Sequence, residues 1–420
     1  ADDSLALHTD AYELNMIETY WREGIADRNA IFEVYFRDLP FQNGYAIYAG
    51  LERVIQYIQN LHFSESDLKL VESGIFNIIN YQTLIATKAA RIRSVVGDDP
   101  LLEFGSRRAQ EMDAAIWGTR AAYIGGFDAT SNLRASKIFG IPASGTHAHA
   151  LVQAYQNDYE AFKAYAETHH DCVFLVDTYD TLRSGVPNAI RVAKEMGDRI
   201  NFLGVRIDSG DMAYISKCVR KQLDAAGFPD AKIYASNDLD EKTIMNLKMQ
   251  HAKIDVWGVG TKLITAYDQP ALGAVYKMVA IENATGQMED TIKISSNVNK
   301  VSTPGKKQVW RITRKDSGKS EGDYVALYNE KPQQRKSLLM FHPQYTYINK
   351  QVTNFNARPL LTEIFKDGEL VYDQPSLQEI KQYAEQHLES LWEEYKRLLN
   401  PQDYPVDLSK KCYDNKMKII

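Results

Sequence analysis

The chain has 420 residues, of which 44% are hydrophobic and 25% are charged. This composition is typical of a globular protein, and the length predicts two domains. The formal net charge at pH 7 is −6. Because an acidic chain receives no long-range attraction to nucleic acid or to an anionic membrane, the charge argues against both partners. Any anionic ligand must be held by local arginines, backbone N–H groups or a metal ion.

The cysteines and the hydropathy pattern predict a cytoplasmic protein. The three cysteines, Cys172, Cys218 and Cys412, are far apart and lack metal-ligand spacing, so we expect free thiols in a reducing compartment. No apolar run approaches the roughly 20 residues that span a bilayer, and the first residues do not read as a signal peptide.

The amino-terminal region predicts a separate domain of mixed helices and strands, residues 1–98. Residues 10–13 form a capping-box pattern that starts a helix over residues 9–23. A strand is predicted over residues 30–37, followed by helices over 50–61 and 76–96.

Beyond residue 98, one pattern recurs seven times: a short apolar run that ends abruptly in small, polar or acidic residues. The runs are residues 101–106, 123–128, 141–146, 172–177, 202–208, 233–238 and 254–261. Helices are predicted between them at residues 151–168, 188–196, 212–226 and 241–249. The alternation predicts an α/β fold, a parallel barrel or an open sheet, with its catalytic groups at the carboxyl ends of the strands.

The remaining sequence predicts the end of the barrel and a return to the first domain. We expect a strand over residues 274–281 that closes the barrel and surface hairpins over residues 282–320. A helix over residues 377–399 should pack on the amino-terminal domain. The predicted domains are therefore residues 1–98, a barrel over 99–340, and a carboxyl-terminal segment over 341–420.

Three aspartates, Asp177, Asp208 and Asp238, end successive strand runs. They lie about 30 residues apart, the length of one strand with its loop and helix, and so should meet at one mouth. Carboxylates placed there can bind ribose hydroxyls or Mg²⁺. The alternative is that each one caps the helix that follows it. Three aspartates in sequential repeats favour a shared binding site over three separate helix caps.

Residues 258–261, Gly-Val-Gly-Thr, follow an apolar strand and offer backbone N–H groups to a phosphate. Two glycines can also mean only a tight turn. Their position after the aspartate-tipped strands favours a phosphate-bearing ligand.

Arginines lie next to two strand ends. Arg107 and Arg108 follow the first run, and Arg206 lies inside the run that ends at Asp208. A guanidinium there can clamp a carboxylate or phosphate with two hydrogen bonds. For Arg206, a structural ion pair with a nearby aspartate is an equal alternative.

Two histidines, His147 and His149, follow the run at residues 141–146. Their i, i+2 spacing makes a poor metal pair on a helix. One of them can instead face the pocket as a proton carrier or a phosphoryl acceptor.

These segments together resemble the nicotinate phosphoribosyltransferases, a family of type II phosphoribosyltransferases. Seven motifs match in order, at residues 9–14 (TDAYEL), 104–110 (FGSRRAQ), 126–132 (GFDATSN), 145–149 (GTHAH), 205–211 (VRIDSGD), 236–240 (SNDLD) and 258–261 (GVGT). The resemblance covers most of the chain and is highly specific.

The resemblance implies both an architecture and a reaction. The architecture is a homodimer with shared active sites, in which an α/β sandwich domain built from both chain ends lies beside an irregular α/β barrel. In the reaction, nicotinate attacks 5-phosphoribosyl 1-pyrophosphate to give nicotinate mononucleotide and pyrophosphate, a step of NAD salvage. ATP and Mg²⁺ are implied as co-substrate and cofactor, with ATP hydrolysis coupled through a phosphohistidine that maps on His149.

The resemblance also assigns roles to individual residues. Nicotinate is implied to contact Tyr12, Phe104, Arg107, Thr146 and Arg206. Catalytic roles fall on His149, Asp208 and Arg206. The phosphoribosyl and phosphate groups are implied to bind Asp177, Asp208, Ser236, Asn237, Asp238, Gly258, Gly260 and Thr261. Mg²⁺ is expected to bind through the pyrophosphate, with Asp177 or Asp208 as a candidate ligand.

The chain departs from the family pattern in two places. Relatives usually contain several tens of additional residues near Leu70 and Val71, and many have Ser where this chain has Ala150. The missing hydroxyl removes a candidate hydrogen bond to a phosphate on His149.

Two alternative functions remain open from the sequence. A nicotinamide-using relative would share the Phe, Arg and Asp positions, and Asp128 would repel the carboxylate of nicotinate if it touched the substrate. We expect Asp128 to be turned away or paired with an arginine. The second alternative is a non-catalytic barrel that binds phosphoribosyl ligands.

Overall fold

The computed structural model describes residue 16 and residues 19–60, 72–297 and 300–420. The described residues form two compact units. Unit 1 consists of the described residues within Ala1–Ala46, Gly50–Asn80 and Ala271–Ile420, and unit 2 of those within Ile47–Ala49 and Tyr81–Pro270. The contacts thus divide the chain at places other than the two predicted domain boundaries, 98/99 and 340/341. Among the described residues, no helix is both long and apolar enough to cross a membrane.

The strands are numbered in chain order. They are β1 (Ala30–Phe36), β2 (Leu101–Glu103), β3 (Ala129–Thr130), β4 (Asp171–Leu175), β5 (Asn201–Ile207), β6 (Lys232–Ala235), β7 (Val256–Val259), β8 (Ala274–Glu282), β9 (Met288–Asp290), β10 (Lys307–Arg314), β11 (Ser320–Leu327), β12 (Ser337–Phe341), β13 (Asn349–Thr353), β14 (Phe355–Pro359), β15 (Phe365–Lys366), β16 (Glu369–Leu370) and β17 (Val406–Leu408).

The helices are numbered in the same way. They are α1 (Leu51–Gln59), α2 (Glu72–Val96), α3 (Met112–Ile124), α4 (Leu133–Phe139), α5 (His149–Ala154), α6 (Asp158–Thr168), α7 (Val186–Met196), α8 (Met212–Ala225), α9 (Glu241–Met249), α10 (Thr261–Ile264), α11 (Leu377–Glu389), α12 (Glu393–Lys396) and α13 (Lys410–Ile419).

Unit 2 contains a six-stranded parallel sheet in the order β3-β2-β7-β6-β5-β4. Its strands are apolar and largely buried, as expected when helices cover both faces of a parallel sheet. Five of the seven apolar runs supply strands β2, β4, β5, β6 and β7. The α/β fold class with a second sheet is confirmed.

Two predicted strands of unit 2 are wrong. Residues 123–128 form the end of α3 and a turn, because Gly125 and Gly126 end the helix and β3 begins only at Ala129. Residues 141–146 make one isolated parallel bridge, between Ala143 and Thr130. Pro142 has no N–H with which to extend that ladder.

Unit 1 contains strands from both ends of the chain. The predicted barrel-closing strand belongs here: β8 pairs antiparallel with β1, so that prediction is wrong. A six-stranded sheet in the order β13-β12-β17-β11-β10-β14 carries a core that includes Trp310, Ile312 and Tyr324. Residues 307–314, predicted as surface hairpin, form the interior strand β10.

Two predicted helices are each divided. The prediction over residues 151–168 corresponds to α5 and α6, because Gln156 has a φ of 61° and Asn157 caps the second helix. The prediction over residues 377–399 corresponds to α11 and α12, separated at Trp392, whose backbone is extended. Near the amino terminus, residues 19–22 are helical, and the predicted start at Asp10 lies outside the described residues.

Candidate active site

Three of the predicted residues converge at the strand ends of unit 2: His149, Asp177 and Asp208. Nε2 of His149 lies 3.7 Å from Oδ2 of Asp208 and 3.9 Å from Oδ1 of Asp177. The other ring nitrogen, Nδ1, lies 3.0 Å from the hydroxyl oxygen of Thr178. The imidazole is therefore held on one side and faces two carboxylates on the other.

Asp177 is a buried carboxylate with one oxygen unused. Its side chain is only 2% exposed. Oδ2 accepts hydrogen bonds from the backbone N–H of Asp208 at 3.2 Å and from the hydroxyl of Ser209 at 2.5 Å. Oδ1 has no hydrogen-bond partner. Since buried oxygens are almost always bonded in folded proteins, Oδ1 is an acceptor left for a ligand or a cation.

Asp208 extends this group toward the next strand end. Its Oδ1 accepts a hydrogen bond of 2.7 Å from the hydroxyl of Ser236, which follows β6. The side chain is 33% exposed. Two carboxylates and a hydroxyl from three successive strand ends are thus joined by hydrogen bonds that do not include Asp238, the third aspartate of the prediction.

Arg206 reaches the same region from strand β5. Its Nη2 donates a hydrogen bond of 2.8 Å to the carbonyl of His147, and the hydroxyl of Thr146 donates to the same carbonyl at 3.2 Å. Nε of Arg206 is buried without a partner. Burial lowers the pKa of the guanidinium, whereas Asp208 and Asp177 raise it. The unpaired N–H gives Arg206 a free donor for an anionic ligand. This donor argues against the alternative that Arg206 serves only in a structural ion pair with an aspartate.

Phe104 explains one of the two glycines at residues 258–261. A Cβ on Gly258 would lie 2.6 Å from the ring of Phe104, and a Cβ on Gly260 would lie 3.1 Å from its carbonyl oxygen. Phe104 also packs on a cluster of Leu102, Ala129 and Val256. Because any side chain at residue 258 would clash with the ring of Phe104, this position requires glycine.

Asp240 ties the loop after β6 to the chain after β7. Its carboxylate accepts hydrogen bonds from Lys262 at 3.2 Å, from the hydroxyl of Tyr267 at 2.9 Å, and from the backbone N–H of Thr243 at 2.8 Å. Burial alone would raise the pKa of Asp240, but these hydrogen bonds lower it to about 2. An ionised carboxylate at the end of the 236–240 segment is thus bonded to two side chains that follow the 258–261 segment.

The remaining predicted site residues lie at exposed positions, at the start of a helix or outside the described residues. Arg107, Asn237 and Asp238 are exposed, and Asp238 adopts a φ of 41° in the loop after β6. Thr261 is the first residue of α10. Tyr12 lies outside the described residues.

The carboxylate of Asp128 is bonded to helix α2 and to strand β2. Its Oδ2 lies 2.5 Å from Nη2 of Arg93 and accepts a hydrogen bond of 2.8 Å from the backbone N–H of Leu101. The expected pairing with an arginine is confirmed. Repulsion of a substrate carboxylate by Asp128 is correspondingly reduced.

The sequence interpretation missed three residues that organise the site. Thr178 and Ser209 bond His149 and Asp177, and each directly follows a strand-end aspartate, which was the available signal. Glu103 is 1% exposed and ends β2. Its carboxylate accepts hydrogen bonds from the Gly105 N–H and from the hydroxyls of Thr119 and Thr130, and burial raises its pKa.

Three family models match consecutive parts of the chain. The nicotinate phosphoribosyltransferase (NAPRTase) N-terminal domain matches residues 7–82, the NAPRTase family matches residues 100–308, and the nicotinate phosphoribosyltransferase C-terminal domain matches residues 306–416. The chain belongs to the nicotinate phosphoribosyltransferase family.

Relatives in this family match over nearly their whole length. A nicotinate phosphoribosyltransferase of Bacillus subtilis (strain 168) is 59% identical over 470 aligned positions, covering 100% of this chain and 96% of the relative. One of Caenorhabditis elegans is 33% identical, covering 98% and 93%. The crystal structure of human nicotinic acid phosphoribosyltransferase superposes with a TM-score of 0.84 at 25% identity, covering 98% of this chain and 100% of the human one.

The alignment with the Bacillus relative is longer than this chain, 470 positions against 420 residues. The relative therefore contains residues that have no counterpart here, as the predicted shortening requires. Its location near Leu70 and Val71 stays a prediction, because both residues lie outside the described ones.

Proposed function

We propose that this protein transfers the phosphoribosyl group of 5-phosphoribosyl 1-pyrophosphate to nicotinate, forming nicotinate mononucleotide and pyrophosphate in an ATP-coupled step of NAD salvage. Its membership of the nicotinate phosphoribosyltransferase family supports the substrates. The observation that carries the proposal is the convergence of His149, Asp177, Asp208 and Arg206 at one mouth, with an unpaired acceptor on Asp177 and an unpaired donor on Arg206.

Arg206 and Phe104 are proposed to hold nicotinate. The free Nε–H of Arg206 and the neighbouring guanidinium N–H groups can bind the carboxylate with two hydrogen bonds. Phe104 supplies an apolar face for the pyridine ring, and Thr146 and Arg107 complete the predicted contacts. The pairing of Asp128 with Arg93 supports nicotinate over nicotinamide.

The chemistry needs positioning more than acid–base catalysis. The pyridine nitrogen is already a nucleophile at pH 7, so no general base is required. As pyrophosphate departs, positive charge develops on the ribose, and Asp177 and Asp208 are placed to stabilise that charge and to bind the ribose hydroxyls. Ser236, Asn237, Asp238, Gly258, Gly260 and Thr261 are proposed to bind the ribose phosphate and the pyrophosphate.

The residues present fit Mg²⁺, which prefers carboxylate oxygens. Oδ1 of Asp177 is buried without a hydrogen-bond donor, and Asp208 lies beside it. Within the described residues no three His, Cys, Asp or Glu side chains form a metal-binding group, so the substrate pyrophosphate would supply the other ligands. Bound there, Mg²⁺ would neutralise charge on the leaving group.

His149 is proposed to accept a phosphoryl group from ATP. Its side chain is 39% exposed and its ring is oriented by Thr178. A phosphoryl group adds about two negative charges next to the ribose site. Those charges would order the surrounding loops and tighten binding of the donor, and hydrolysis would reset the site.

The proposed assembly is a homodimer with shared active sites. Unit 2 exposes three large apolar side chains on helices α3 and α4: Met112, Leu133 and Ile138. Such residues are suited to burial in a subunit interface. Tyr12 is proposed to reach the partner's site as an aromatic wall.

The direct test is to incubate the protein with nicotinate, ATP, Mg²⁺ and 5-phosphoribosyl 1-pyrophosphate and to measure pyrophosphate and nicotinate mononucleotide. We expect nicotinate to outcompete nicotinamide in the same mixture. Preference for nicotinamide would favour the alternative enzyme, and ligand binding without product would favour a non-catalytic barrel.

Phosphorylation is tested separately with γ-labelled ATP. Acid-labile, base-stable label is expected in wild type and, at a reduced level, in His147→Ala, and it should be absent from His149→Ala. The His149→Ala variant should retain slow synthesis that ATP does not stimulate.

A further inference from the structure

The parallel sheet of unit 2 has two edge strands, β3 and β4, and one short segment bonds to both. On the β3 side, the Thr130 N–H donates to the carbonyl of Pro142 at 3.0 Å, and the Ser144 N–H donates to the carbonyl of Thr130 at 2.9 Å. On the β4 side, the bond comes from a side chain: Nε2 of His147 accepts the N–H of Leu175 at 3.1 Å.

The bond from Leu175 completes the edge of β4. The Val176 N–H points toward β5 and donates to the carbonyl of Arg206 at 3.1 Å. Because N–H groups alternate in direction along a strand, the Leu175 N–H points the other way, to the open edge. A buried backbone N–H without an acceptor is costly, and the imidazole supplies the acceptor that a neighbouring strand would supply.

The environment fixes one form of the His147 ring. Since Nε2 accepts a hydrogen bond, the ring proton must be on Nδ1, which lies 3.3 Å from the carbonyl oxygen of Ala148. The residue is 8% exposed, and its ring packs on Phe162 and Tyr165 at centroid distances of 5.8 Å and 5.0 Å. Burial lowers the pKa of His147 to about 4, which keeps the ring neutral at working pH.

His147 also supports the candidate site through its backbone. Its carbonyl accepts the 2.8 Å hydrogen bond from Arg206 and the hydroxyl of Thr146. His149 begins helix α5 only two residues later. A shift of the backbone at His147 would therefore displace Thr146, Arg206 and His149 together.

We propose that His147 is a positioning residue, whose neutral imidazole attaches the segment carrying Thr146 and His149 to the edge of β4 and so aims Arg206 at nicotinate. This inference rests on the proposed function for its kinetic consequence, but its structural part does not depend on activity. The side-chain chemistry required is an acceptor at the Nε2 position within an apolar pocket.

Three variants test the proposal in the full-length protein. His147→Phe keeps a planar ring against Phe162 and Tyr165 but removes the acceptor. His147→Gln places a neutral carbonyl oxygen near the Nε2 position and restores it. His170→Phe is the matched control. It makes the same His-to-Phe substitution next to β4, at a histidine whose side chain is 72% exposed.

We expect His147→Phe to raise the KM for nicotinate about tenfold, as the loss of one buried hydrogen bond can do, and to raise it more than the KM for 5-phosphoribosyl 1-pyrophosphate. His147→Gln should recover most of this loss, and His170→Phe should match wild type. A Gln variant as impaired as the Phe variant, or a Phe variant equal to wild type, would overturn the proposal.

An NMR measurement judges the structural part without turnover. The ¹⁵N signals of the His147 ring should show the proton on Nδ1 from pH 6 to 8, and the Arg206 guanidinium signals should shift in His147→Phe. A proton on Nε2 would refute the proposal even if the enzyme is active. If wild type makes no product but these signals appear as expected, the proposed function fails and the positioning role stands.

Discussion

Two strand ends of unit 2 each bury a carboxylate, and the two are treated in opposite ways. At the end of β2, both oxygens of Glu103 are bonded, one to the Gly105 N–H and the other to the hydroxyls of Thr119 and Thr130. At the end of β4, only one oxygen of Asp177 is bonded, to Asp208 and Ser209, and the other has no hydrogen-bond partner.

The contrast separates a carboxylate whose oxygens are all used within the protein from one that keeps an oxygen available to a ligand. A fully bonded carboxylate fixes the loops that donate hydrogen bonds to it. A buried oxygen without a hydrogen-bond donor destabilises the folded protein. It becomes favourable only when a cation or a hydroxyl group binds to it. The same substitution, carboxylate to amide, should therefore reduce activity strongly at Asp177 and only slightly at Glu103.

The largest effect is expected for Asp177→Asn. The amide keeps the size of the side chain and can keep an oxygen toward Asp208 and Ser209, but the charge next to the ribose is lost. We expect kcat/KM for 5-phosphoribosyl 1-pyrophosphate to fall about 100-fold, the scale of losing one charge-stabilising group. The melting temperature should not fall. A variant with full activity, or one that unfolds, would remove the contrast with Glu103.

Two arginines repeat the contrast and give the second prediction. Arg93 is bonded to the carbonyls of Gly126, Gly97 and Asp99 and to Asp128, whereas Arg206 keeps Nε unbonded. Arg206→Lys retains the charge and loses the planar fork. The KM for nicotinate should rise about tenfold and exceed the change in the KM for 5-phosphoribosyl 1-pyrophosphate. Equal changes in both would reassign Arg206 to the phosphate or to structure.

The sequence predicted the strand ends better than it predicted how they are joined. Asp177 and Asp208 could be placed because each follows a buried apolar run, and the carboxyl ends of parallel strands meet at one edge. The predictions of barrel strands at residues 123–128 and 274–281 relied on the same signal, an apolar run, and were wrong. Both are apolar, and apolar content alone cannot tell a helix end from a strand, or a barrel strand from one that pairs elsewhere.

The roles of single polar residues depended on contacts that no pattern encodes. Glu103 precedes the Phe-Gly-Ser motif and carried no signal of its own, because its three donors come from residues up to 27 positions away. Composition and spacing did not distinguish His147 from His149, and only the family resemblance selected His149. Only the structure shows that one ring faces the edge of β4 and the other faces the carboxylates.

A third carboxylate, Asp240, is fully bonded like Glu103 but ionised by its partners, and it tests the stability side of the comparison. Since its pKa is lowered to about 2 from an ordinary 3.8, the ionised form is favoured by folding. Its contribution is present above pH 4 and is lost as the pH falls toward 2. Asp240→Asn should therefore reduce the free energy of unfolding at pH 7 by about 2 kcal/mol.

Urea unfolding at several pH values checks this prediction. Wild type and Asp240→Asn should converge as the pH approaches 2. Lys262→Gln, which removes a partner that is 28% exposed, should cost less than Asp240→Asn at pH 7. A stability difference that is independent of pH would mean that packing, and not the charge of Asp240, holds the two loops together.

The smallest effect is expected for Glu103→Gln. Both oxygens of Glu103 accept hydrogen bonds, and Gln can keep them by turning its carbonyl toward the Gly105 N–H and its amide N–H toward the oxygens of Thr119 and Thr130.

Burial raises the pKa of Glu103, so its folded form binds a proton more readily than the unfolded chain. Wild type should lose stability as the pH rises through this raised pKa, whereas Gln does not titrate. We expect kcat/KM to change by less than about threefold, and the stability of the variant relative to wild type to increase from pH 4 to pH 7. Glu103→Ala is the control: it leaves the Gly105 N–H and the Thr130 hydroxyl without an acceptor and should be clearly destabilising at both pH values. If Glu103→Gln instead loses activity as severely as Asp177→Asn, Glu103 acts on the substrate through its charge, and bonded carboxylates cannot be distinguished from ligand-binding ones by their partners.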